Sequence, residues 1–177
     1  MLKRLILPAA LLLAVTPAFA QQSSQAAATT AAKPAAQKLT PEQQQAIMKF
    51  RQQMANSAEA IAQLVDQGKA GEVWDQASNV AKQVVSRNEF VSGIQSQRSK
   101  LGTLVSRKLA AVTHSVSKGD KKLPAGDYIN VVFASQFGNN KQPIRELVSY
   151  HFDSDKVWRV SGYTLQQPAP AANTGKR

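Results

Sequence analysis

The sequence predicts an α+β domain in which three or four helices cover one face of a four-stranded antiparallel meander. Apolar residues recur at steps of three or four between Ile47 and Leu101, the period of a helix face. From Leu104 to about Leu165 the period drops to two, the period of a half-buried strand. Turn-forming residues punctuate both halves, Gly68 and Gly102 in the first, Gly138-Asn139-Asn140 and Asp153-Ser154-Asp155-Lys156 in the second.

The chain opens with Lys3 and Arg4, an apolar run from Leu5 to Val15, and Ala18-Phe19-Ala20 before Gln21. This is the layout of a secretory signal peptide, with cleavage expected between Ala20 and Gln21. The run is interrupted by Pro8 and is shorter than the ~20 residues that span a bilayer. No second hydrophobic stretch follows, so no transmembrane segment is expected after cleavage. With no cysteine there is neither a disulfide nor a lipid attachment site. Loss of residues 1–20 leaves 157 of 177 residues, enough for one domain, and 20 basic against 11 acidic residues, a balance of +9. Such a charge points to anionic partners: an anionic component of the cell envelope or an acidic protein. Export disfavours nucleic acid.

Residues 21–39 are mostly Ala, Gln, Ser and Thr without an apolar stripe, and are expected to be a disordered tether; 167–177, rich in Ala and Pro and ending in Lys176-Arg177, are expected to be a disordered basic tail. The domain between them, 40–166, begins at Thr40-Pro41-Glu42-Gln43, where Thr40 and Gln43 suit a capping box and Pro41 the first helical position. Ile47, Phe50, Met54, Ala58, Ile61 and Val65 form the inward stripe of one long helix or of two with a break near Asn56-Ser57. A following helix carries Val73, Ala77, Val80 and Val84 on one stripe, with Trp74 beside it. Ser86 and Glu89 cap another, with Phe90, Ile94 and Leu101 inward. The strands are expected at Val105–Val116, Tyr128–Phe137, Glu146–Phe152 and Val157–Tyr163. On the third, Glu146, Val148, Tyr150 and Phe152 share a side. On the fourth, regular alternation sends Tyr163 away from Trp158.

Val65-Asp66-Gln67-Gly68, Val73-Trp74-Asp75-Gln76-Ala77-Ser78, Leu101 to Lys108, Gly126-Asp127-Tyr128 and Trp158 to Tyr163, in that order, resemble a bacterial exported family, domain-of-unknown-function family 4019. The resemblance covers about residues 57–166. It implies an exported α+β domain similar to the nuclear-transport-factor-2-like or cystatin-like type, with a curved sheet that often encloses a pocket, and it implies no activity. Where typical members carry an aromatic after the first helix turn, this chain has Ala70-Gly71, which is expected to loosen that corner.

No phosphate loop, nucleophile elbow, paired-histidine metal helix or thiolate is present in the sequence, and no cofactor or metal is expected. His114 and His151 fall on strands and read as ordinary strand histidines. The leading expectation is a non-enzymatic binding or interaction domain. Its partner is either anionic, bound through Arg107, Lys108, Lys118, Lys121 and Lys122, or a small apolar ligand in a pocket near Trp74 and Tyr150. The basic residues make one patch if the loop after Lys118 folds back beside the last helix. The alternative is an enzyme of ketosteroid-isomerase-like or hydrolase-like type, with Glu146 as a carboxylate at the rim of an apolar cavity and Tyr150 beside it. A pair of Glu146 with Arg107 is the competing explanation of that carboxylate. A third reading is a structural partner of another envelope protein.

Overall fold

A computed structural model of the chain describes residues 39–120 and 123–167. The expected signal peptide, its cleavage point, all of the tether but Leu39, all of the tail but Gln167, and Lys121 and Lys122 lie outside the described residues. The element order is α1 (Pro41–Asp66), α2 (Ala70–Asp75), α3 (Asn79–Val84), α4 (Arg87–Arg98), β1 (Leu104–Ser117), β2 (Gly126–Phe137), β3 (Ile144–Phe152) and β4 (Trp158–Gln166). The strands form one antiparallel sheet in the order β1-β2-β3-β4, a simple meander. Among the described residues no helix is long and apolar enough to cross a membrane.

Thr40 and Gln43 form the capping box of α1, which runs 26 residues without a break at Asn56-Ser57. Its buried stripe is Met54, Ala55, Ala58, Ala62 and Val65, while Ile47 stays partly in solvent. Three of those five are alanines, and side chains this small bring the helix axis close to the sheet. Gly68, at φ +75°, turns the chain after the helix in a conformation that residues with a Cβ rarely adopt. The expected second helix is in fact two. Ser78 leaves the helical ladder: its N–H donates to the Val160 carbonyl at 2.8 Å, and its Oγ accepts from Val80 N to start α3. The break rotates the later stripe, so Ala81 is buried and Val84 is 63% exposed. The Ala70-Gly71 corner is not loose. A Cβ on Gly71 would lie 2.4 Å from Arg87 Nη2, and that guanidinium, paired with Asp75 at 2.9 Å, occupies the space. Ser86 and Glu89 cap α4 as expected.

The main core lies between α1, α2, α4 and the inner sheet face, where Ile129, Val131 and Phe133 of β2, Val148 and Tyr150 of β3, and Val160 and Tyr163 of β4 gather. Trp158 also packs against this cluster, so the expected separation of Trp158 from Tyr163 fails. The cause is a bulge: Ser149 pairs with Gly162 but Tyr150 with Val160, which leaves Ser161 unpaired and turns Val160 and Tyr163 to the same face. Two further register shifts, at Val105 and Ala110, interrupt β1.

Ala58 and Ala60 test the close approach of α1, because the first is fully buried and the second exposed. Ala58→Leu should lower the unfolding free energy in urea by about 1–3 kcal/mol through overpacking, whereas Ala60→Leu should leave it within about 0.5 kcal/mol.

Candidate functional site

Glu146 is fully buried, and a buried carboxylate must find donors for its oxygens. Its place on β3 supplies them from every other strand. Arg107 of β1 donates Nε at 2.7 Å and Nη2 at 3.0 Å, Tyr163 of β4 donates its hydroxyl at 2.5 Å, and Ser135 of β2 donates its own. These four contacts use the roughly four acceptor positions a carboxylate has. Arg107 Nη2 also reaches Asp66 at 2.9 Å at the end of α1, and Asp66 accepts from Arg98 Nε of α4 at 2.9 Å. Two carboxylates thus face two guanidiniums. Burial works against the Arg107 charge, but Glu146 and Asp66 more than offset it and raise its pKa. Burial and the negative charge of Glu146 push the Tyr163 phenol far above its ordinary range, so it remains a donor.

Glu146 and Tyr150 do share a strand face, yet they do not act together. Tyr150 sends its hydroxyl to Ser57 Oγ at 3.0 Å, and burial pushes its pKa up to about 12. Instead of standing at a cavity rim, Glu146 sits in a closed network, and the pairing with Arg107 is the one the fold makes. Trp74 packs at 5.4 Å, tilted, on Phe90 in the core, and Tyr150 is buried with it. Lys121 and Lys122, on which the expected single basic patch depends, lie outside the described residues. Arg98 and Arg107 are drawn into the ion network, while Lys100, before β1, and Lys118, after it, are separated by 14 residues of strand, roughly 40 Å. Exposed His114 pairs with Asp127 at 2.9 Å, and among the described residues no group of three metal-ligating side chains occurs.

The fold creates a different concavity, on the outer sheet face. Asn130, Ser149 and Gly162 are cross-strand partners on β2, β3 and β4, and Ser115 of β1 and Ser161 flank them. Ser149 Oγ donates to Asn130 Oδ1 at 2.7 Å, so the row is ordered by its own hydrogen bonds. Val80, Val84 and Val85 wall it on one side, and Leu123, Pro124 and Tyr128 on the other, around a volume of about 200 Å³. Among the described residues, none that lines it is charged. At Gly162 an added Cβ would meet only Ser149 Cβ, at 3.8 Å, so glycine keeps the floor open without being required by the backbone.

The wall made by α3 is anchored through Asp153. Its Oδ1 accepts from Ser78 Oγ at 2.5 Å and lies 2.7 Å from His151 Nδ1, and its Oδ2 accepts from Arg159 Nη1 at 3.1 Å. Burial alone would raise the pKa of this carboxyl, but these partners hold it below the usual carboxylate range. His151 Nε2 is turned toward Gly126 and, among the described residues, finds no hydrogen-bond partner. Sequence reasoning missed the groove. The available signal was that outward positions on three successive strands, Ser115, Asn130 and Ser149, are polar but uncharged in a chain of net charge +11.

The family model described as a protein of unknown function, DUF4019, matches residues 57–163. No curated protein and no solved structure matches the chain.

Arg107→Met should cost about 3–5 kcal/mol in urea unfolding, because it strands a buried carboxylate, and Arg107→Met combined with Glu146→Leu should recover much of the loss. A second outcome concerns alkaline pH. The folded pKa of Tyr150, about 12, lies above that of a free phenol, about 10, so its stabilisation is complete below about pH 10 and is lost as pH rises through about 12. Tyr163 acts in the same direction. Stability measured across that window should fall less steeply in Tyr150→Phe than in the parent.

Proposed function

The chain belongs to the family of unknown function DUF4019, and we propose that it is an exported, non-enzymatic binding domain that holds a small, largely apolar ligand in the groove on the outer face of its sheet. The observation that supports this most is the lining of that groove: apolar side chains on both walls, and a floor of Ser115, Asn130, Ser149 and Ser161 with hydrogen-bonding capacity left over. A volume of about 200 Å³ corresponds to about seven water-sized units of roughly 30 Å³ each, so the ligand is small or is one arm of a larger molecule. The uncharged lining among the described residues favours a neutral ligand, since an ion would lose its hydration there without gaining a partner.

Two further features favour binding over catalysis. Glu146, the carboxylate best placed for acid–base work by its burial, already has its oxygens occupied by Arg107, Ser135 and Tyr163. His151 and Asp153 are committed to each other and to Ser78, which sits on the aspartate rather than on His151 Nε2. Export rests on the Lys3-Arg4 start, the Leu5–Val15 run and Ala18-Phe19-Ala20.

Native mass spectrometry of protein purified gently from its own host tests both parts. The expected result is an added mass that leaves on denaturation and is absent from Gly162→Leu, whose side chain fills the groove without backbone strain. The denatured mass should match a chain beginning at Gln21. A bare native mass would overturn the ligand reading, and a denatured mass retaining residues 1–20 would overturn the export reading.

A further inference from the structure

The two edges of the sheet are treated differently. At β4 the Val160 carbonyl accepts the Ser78 N–H at 2.8 Å, so α3 and its cap guard that edge. At β1, among the described residues, nothing pairs with the outer edge of a 14-residue strand. An unpaired edge presents a row of N–H and C=O groups that can accept another strand. Exposed apolar side chains accompany it: Val105 at 68%, Leu109 at 48% and Val116 at 69% on β1, with Met48 at 70% and Ile47 at 37% on the adjoining helix.

Between α1 and this strand run two concave grooves. One, of about 470 Å³, is lined by Met48, Arg51, Leu109 and Val112, and the other, of about 410 Å³, by Ile47, Phe50, Arg51, Val112 and Trp158. Arg51 stands in the wall of both. Beyond the bulge at Ala110, β1 pairs with β2 in unbroken register from Ala111 to Ser117, so its outer edge is regular there. Side chains of a strand added along that run would point toward α1 at every second residue, at a spacing of about 6.6 Å.

Charge selects the occupant. From Lys100 through Lys118 the chain contains Arg107 and Lys108 and no carboxylate, and among the described residues Arg51, Lys108 and Lys118 pair with no acid. Asp127, across from Val116 on β2, lies 2.9 Å from His114 Nε2. A second copy would bring the same cations face to face, and like charges directly opposite destabilise a strand pair. We propose that the outer edge of β1 is a docking site for an extended acidic segment of a partner protein, which adds as a fifth strand with apolar side chains at alternate positions in the grooves against α1. Main-chain hydrogen bonds then hold the segment, and the grooves and cations choose it. The site is separate from the groove on the outer face and stands without it.

Amide hydrogen exchange of the labelled protein, with a short synthetic peptide alternating leucine and glutamate, tests the assignment. Binding should slow exchange in Ala111–Ser117, weaken as salt rises, and fall by at least about ten-fold in Leu109→Glu and in Arg51→Glu, both at exposed positions where folding is unaffected. The same peptide N-methylated along one edge should not bind, because it lacks the donors for the β1 carbonyls. No protection of β1, equal binding of a leucine–lysine peptide, or undiminished binding after N-methylation would overturn the proposal. So would protection of the same amides by phosphatidylglycerol vesicles but not by the peptide, which would mark a lipid surface, or protection in a dimer of the protein alone.

Discussion

The buried Glu146 carboxylate is the constraint on which the arrangement of this domain depends. Its four contacts come from Arg107 on β1, Ser135 on β2 and Tyr163 on β4, and Arg107 carries the network on to Asp66 of α1 and through it to Arg98 of α4. One ionised side chain therefore registers all four strands and two helices. A slip of one residue in any strand would turn its donor to the outer face and leave a charge in the core without a partner, a far larger penalty than the loss of one apolar contact. The network adds specificity of register more than net stability, since two carboxylates and two guanidiniums must all leave water to form it.

The β4 bulge is what makes that network possible. Without the extra residue at Ser161, Tyr163 would point away from Glu146, and Val160 and Tyr163 could not both reach the core. The same extra residue brings Ser161 and Gly162 to the rim and floor of the outer groove. Ser78 performs a matching double role on the helical side. It caps α3, and its backbone and hydroxyl bind Val160 and Asp153, which holds the α3 wall against the sheet. Packing and ion pairing thus fill the inner face around Glu146, and one concavity left by the fold lies on the outer face.

Two surfaces remain for recognition, and they differ in kind. The outer groove is small, uncharged and bounded by elements tied to one another, which suits a compact neutral ligand bound with little rearrangement. The β1 edge is long, basic and apolar, and offers backbone groups as well as side chains, which suits a chain.

Much of the architecture was legible in the sequence. Thr40-Gln43 and Ser86-Glu89 announced two helix starts, the change of period at Leu104 announced the sheet, and the order of strands followed from short turns that permit only neighbouring antiparallel pairs. The pairing of Arg107 with Glu146 was among the sequence's own alternatives, because opposite charges at inward strand positions have few other partners. Local periodicity determines these things, since each depends on residues a few positions apart. What it leaves open depends on contacts between distant residues: the break at Ser78, set by Val160; the bulge at Ser161, set by where Tyr163 must point; the drawing of Arg98 and Arg107 into ion pairs, set by Asp66 and Glu146; and the groove, whose walls and floor come from α3, the β1–β2 connection and all four strands. The sequence by itself determined the elements and their order, and only the tertiary structure decided which polar groups are buried together and which face stays open, because pairing energies act across space and carry no period along the chain.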